Sequence, residues 1–164
     1  MTSSSVLITD TNIWIDLDNA GILAEVFRLP YQFLTPDLAK GEMIQPPWDV
    51  LEKMGLVLQE MDADQMADLA GLRSIHRLLS VMDLASFLLA KSLAAVLLTG
   101  DSRLMTLATT NGLSVHGALW LLDEMTRLEI LANRQAAVAL ERMLEMGARL
   151  PRDECRKRLS NWSG

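Results

Sequence analysis

The stretch 96-VLLTGDSRL-104 runs from apolar β-formers through Thr99 and Gly100 to a carboxylate, Asp101, and then into a helical pattern. The N-terminal stretch 6-VLITDTNIW-14 has the same form, closing its apolar run with Thr9 and Asp10. Alone, each acid reads as a helix cap, since Asp is a favoured N-cap. Two such turns in one chain also read as neighbouring strand ends. In an open parallel sheet, ligands gather beyond the carboxyl ends of the strands, where strand order reverses. The first strand is central in most such sheets, and the most apolar later strand is its natural neighbour.

Outward from these turns, short β-forming runs alternate with longer helical patterns. Strands are expected at 6-VLITD-10, 31-YQFLT-35, 56-LVLQEM-61, 95-AVLLTG-100 and 113-LSVHG-117, the second and third half-buried and the fourth fully buried. Thr35 before Pro36 predicts an N-cap and a first helical residue. Asp62 with Gln65, and Ser80 with Asp83, predict capping boxes opening helices over 63–74 and 81–92. Beyond residue 117 only helical patterns follow, over 118–132, over 134–146 with Asn133 as cap and Gly147 as stop, and over 152–162 behind Pro151. Strands alternating with helices imply βαβ units and a three-layer α/β fold. The expected division is a domain over 1–132 and a helical extension over 133–164 packed on it.

Composition narrows the function classes. The chain has 164 residues, half of them hydrophobic, enough for one domain with a real core. Cys155 is its single cysteine, which excludes an internal disulfide and a cysteine-based zinc cluster. The longest apolar run, 87-FLLAKSLAAVLL-98, is broken by Lys91 and Ser92 and is too short for a bilayer. Residues 1–15 carry no positive charge and read as no secretory signal. The expectation is a cytoplasmic protein. The net charge of −6 opposes general nucleic-acid affinity, but setting aside four clustered acids leaves 15 basic against 17 acidic residues.

Two further acids join Asp10 and Asp101. Glu42 lies in 35-TPDLAKGEMIQ-45, expected one or two turns into a helix, where a Glu is ordinarily solvated. Asp83 is the acid of a capping box, yet 82-MDLASFLLA-90 is otherwise almost wholly apolar, so this acid must face water, a partner or a metal.

Asp10 in ITDTNIWIDL, Glu42 in DLAKGEMI, Asp83 in VMDLASFLLA and Asp101 in LLTGDSRL together resemble the PIN domain. Asn12 matches the small polar residue two places after the first acid, and Thr99 the polar residue before the last. The resemblance covers about residues 5–130. It implies a sheet of order 3-2-1-4-5 and a Mg²⁺- or Mn²⁺-dependent nuclease acting on RNA, with one or two ions. Many small bacterial members are toxins of the VapC type, each paired with an antitoxin. The segment from Arg134 to Gly164 departs from that compact toxin pattern.

Such chemistry needs such a set. At about 5 Å separation and an effective dielectric of about 20, each carboxylate pair costs about 3 kcal/mol. Hard divalent cations relieve the repulsion, bridge to phosphates and activate water for in-line attack. The expected ligands are Asp10, Glu42, Asp83 and Asp101, with Asn12 and Thr99 orienting them. Lys40 and Arg103 read equally as backbone-phosphate contacts or as solvated charges. The runs 73-RSIHR-77 and Arg156–Arg158 read as solvated faces, Asp16 and Asp18 as exposed, and His76 and His116 as non-catalytic. Leu121, Met125 and Leu128, with Trp120 beside them, predict a packing or homodimer surface. A receiver domain would need a Lys ending its fifth strand, and a haloacid-dehalogenase-type phosphatase a second Asp where Asn12 stands. A catalytically quiet binding module is the rival from another class.

Overall fold

Val6–Thr9 (β1) is the centre of an all-parallel sheet in the computed structural model, which describes residues 6–41 and 45–164. On one side β1 pairs with Gln32–Pro36 (β2), which pairs with Val57–Gln59 (β3). On the other it pairs with Val96–Leu98 (β4), which pairs with Val115–His116 (β5). The order is therefore β3-β2-β1-β4-β5, as expected. Strand order reverses between β1 and β4, so the crevice lies above Thr9 and Leu98.

Alternation along the strands sorts the core into two layers. Leu7, Phe33 and Leu98 face one cluster, shared with Thr11–Ala20 (α1), Leu23–Val26 (α2), Trp48–Met54 (α3) and Ala118–Arg127 (α7). Ile8, Leu34 and Leu97 face the other, where Ala63–Ile75 (α4), Val81–Leu93 (α5) and Ser102–Thr110 (α6) cover them. This is the three-layer arrangement. Asn133–Glu145 (α8) and Arg152–Ser163 (α9) bring Ala139, Leu140, Met143 and Cys155 into the same buried cluster as Leu7 and Trp14.

Both capping boxes form, Asp62 with Gln65 and Ser80 with Asp83. Gly147 takes a positive φ of 93° after α8, which favours glycine. Other local readings are corrected. Pro36 closes β2 opposite Gln59 instead of opening a helix, and Thr35 spends its hydroxyl across the sheet, donating to Thr9 O at 3.1 Å. A 3₁₀ segment, Asp37–Gly41, follows. Phe33 to Pro36 are buried, because β2 lies between two strands and under helices on both faces. Ala132, not Asn133, is the N-cap of α8, and its N–H donates to Gln135 Oε1. The helix from 118 ends at Arg127, with Glu129 in the left-handed region. Leu121 and Met125 are wholly buried in the chain's own core, so the packing reading holds for these two and they offer no dimer surface, whereas Leu128 is exposed.

Candidate functional site

The two opening turns end in different states. Asp10 stands at the N-cap position of α1 with no side-chain cap hydrogen bond to the third helical residue, although the Thr11 and Asn12 amides of the first turn still lower its carboxyl. It is 6% exposed, and Oδ2 accepts from Thr99 Oγ1 at 2.9 Å. Asp101 does cap: Oδ1 accepts from Arg103 N at 2.9 Å and Leu104 N at 3.0 Å. The same Thr99 oxygen accepts the Asp101 N–H at 3.0 Å. One hydroxyl therefore ties both turns together. The sheet continues into them, since the Asp10 N–H donates to Leu98 O and the Thr99 N–H to His116 O.

Asp83, half-buried at the start of α5, accepts the Ser80 N–H at Oδ2. Its charge reaches Asp10. Burial, with a smaller push from Asp83, raises the Asp10 carboxyl to about 6 against the Thr99 hydrogen bond and the Asn12 and Thr11 amides, which lower it. Asp83 and Asp101 each give one oxygen to their own helix end, and no described hydrogen bond engages the other. Glu42 lies outside the described residues. Among the described residues no group of three or more His, Cys, Asp or Glu side chains is placed to hold a metal ion. The structure thus links Asp10 to Asp101 through Thr99 and to Asp83 through its field.

Asn12 is exposed on the first turn of α1, and Lys40 is exposed at the end of the 3₁₀ segment. Arg103 is exposed on α6, beside a groove whose other wall is the Ile75–Leu79 connection. His116 stacks on Trp120 with ring centroids 4.4 Å apart, and burial lowers its pKa. Arg158 is not part of a solvated face. It makes a paired hydrogen bond to Asp123 at 2.7 and 2.9 Å, docking α9 on α7.

A cavity of about 810 Å³ adjoins the crevice, and Thr99 and Gly100 form part of its wall. Asp16 of α1 lines it, half-buried, with burial raising its pKa. Arg149 lines it from the α8–α9 connection and Arg152 from the start of α9. The reading of Asp16 as simply exposed is therefore corrected. A signal existed, for Asp16 lies three residues after buried Ile13 and shares its helical face. The arginines had none, because a distant segment folds back to bring them there.

A three-layer α/β/α fold with this strand order and acids at the reversal point is the architecture of a PIN-type module. The chain belongs to the PIN-domain family: a family model described as a PIN domain matches residues 6–164. No curated protein and no solved structure matches it. PIN domains are generally nucleases acting on nucleic acid and usually bind divalent metals. Among the described residues, no helix is long and apolar enough to cross a membrane.

Proposed function

We propose that the protein is a Mg²⁺- or Mn²⁺-dependent endoribonuclease that cuts unpaired RNA in the cytoplasm. The observation that carries this reading is Asp10. Its carboxylate is buried, is joined through Thr99 to the Asp101 turn, and lies in the field of Asp83. A buried carboxylate in the field of a second acid, with no salt bridge to it among the described residues, fits a hard divalent ion by donor chemistry. Asp10, Asp83 and Asp101, with Glu42, would hold one or two such ions. When bound, the ion supplies charge neutralisation at the scissile phosphate and an activated water. Thr99 orients the Asp10 carboxylate, with Asn12 nearby in sequence, and Lys40 and Arg103 contact backbone phosphates. The toxin role of small family members, with an antitoxin as partner, joins this proposal on family resemblance alone, and a homodimeric state joins it on the exposed Leu128 and half-buried Trp120 of the stripe after residue 117.

The second reading, a catalytically quiet binding module, draws on one observation: no three described side chains form a ready metal site. The deciding experiment is cleavage of single-stranded RNA with Mn²⁺, with and without EDTA, by wild type, Asp10→Asn and Asp101→Asn. Asn caps nearly as well as Asp, so loss of the Asp101 charge leaves folding almost intact. The nuclease reading expects a fall in rate of orders of magnitude for both variants. Wild type that binds RNA or a protein but never cuts establishes the binding module.

A further inference from the structure

The cavity beside the carboxylates has the composition of a site for one nucleotide. At about 810 Å³ it lies within the range of about 300–1,000 Å³ typical of small-ligand sites. Ile13, Met105, Leu119 and Leu150, from four separate elements, give it apolar walls that can take the face of a base. Thr99 lines the cavity and also hydrogen-bonds Asp10. A strand crossing the carboxylates therefore has its neighbouring nucleotide within reach of the cavity.

Its charged groups divide the work. Asp16 is half-buried, and among the described residues no hydrogen bond or ion pair engages its carboxylate. A partly desolvated carboxylate demands donors, and its two oxygens match two adjacent N–H groups. Guanine presents such a pair on its Watson–Crick edge, whereas uracil flanks a single N–H with two carbonyls. Arg149 and Arg152 are exposed and have no acid partner among the described residues. By contrast, Arg156, Lys157 and Arg158 of the same segment pair with Asp153, Glu154 and Asp123. Two cations without acid partners on the rim of a pocket in an acidic chain suit phosphate oxygens.

We propose that this cavity is a base-reading subsite, in which Asp16 takes the donor edge of an unpaired guanine and Arg149 and Arg152 hold its phosphate. The assignment rests on the nuclease reading and adds a substrate preference to it. It makes the C-terminal helical segment part of the substrate site.

The test separates binding from cleavage. Full-length protein in EDTA is titrated with the four nucleoside 5′-monophosphates and followed by amide chemical shifts. Guanosine monophosphate should bind about tenfold or more tighter than uridine monophosphate, the range a paired carboxylate contact supplies. Asp16→Asn should erase that preference, and Arg149→Ala with Arg152→Ala should weaken all four nucleotides alike. The arginines are exposed, so that variant still reports if Asp16→Asn fails to fold. Absence of nucleotide binding, shifts mapping elsewhere, an unchanged preference in Asp16→Asn, or occupation of the cavity by a protein segment instead overturns the proposal. RNA cut by wild type and Asp16→Asn with identical base preference removes the subsite and leaves the nuclease. Guanine bound at the cavity by a protein that never cuts does the reverse.

Discussion

The hydroxyl of Thr99 donates a 2.9 Å hydrogen bond to Oδ2 of Asp10, joining the end of β4 to the end of β1 across the crevice. Its oxygen also accepts the Asp101 N–H, so one buried side chain sets the spacing of both acidic turns. Thr99→Val keeps the shape and removes both bonds. Leaving buried polar groups unpartnered costs about 1–3 kcal/mol each, so urea unfolding should show a loss of that order. Mn²⁺ affinity should fall with it, and Thr99→Ser should restore both. A valine variant equal to wild type in stability and titration removes Thr99 from the site.

Asp10 makes stability depend on pH. Its folded-state value of about 6 lies above the ordinary aspartate value of 3.8, because burial disfavours the charged form. The folded chain therefore holds this proton more tightly than the unfolded one. The associated stability is fully present below about pH 4 and is lost as pH rises through about 6. The difference amounts to about 3 kcal/mol at most. In chelator, Asp10→Asn should be more stable than wild type at pH 7.5, and the gap should close near pH 3.5. Parallel stability curves across that range contradict this burial.

Divalent ions should stabilise the chain by relieving the same repulsion. At ten times its dissociation constant one ion contributes about 1.4 kcal/mol. Thermal unfolding with Mn²⁺ or Mg²⁺ should show the gain in wild type and none in the Asp10→Asn, Asp101→Asn double variant. An equal shift in both places the ion elsewhere.

Arg158 and Asp123 hold α9 to α7 through a paired contact that is partly exposed. Arg158→Ala should cost about 1 kcal/mol. Amide exchange should accelerate in α9 and in little else, because Cys155 and Leu159 still anchor it to the core. Unchanged exchange in α9 makes the contact energetically silent.

Much of the architecture was legible because period-2 and helical patterns are local. The central β1, buried β4, both capping boxes and the helix-only C-terminal part follow from such patterns. Pro36 was misread because pairing with Gln59 overrides the helix-start preference of a Thr-Pro pair. The Leu121 and Met125 stripe could not be assigned to core or partner until α8 was placed against α1.

The site divides along the same line. The order and spacing of residues alone marked Asp10, Asp83 and Asp101 as acids at element ends, since capping and strand-end chemistry act within a few residues. Only the tertiary structure decided that Asp101 caps α6 while the Asp10 carboxylate is buried against Thr99, that Thr99 joins the two turns, and that Arg149 and Arg152 meet Asp16 around one cavity. Those facts depend on through-space burial and on contacts between segments far apart in the chain, which no local pattern encodes.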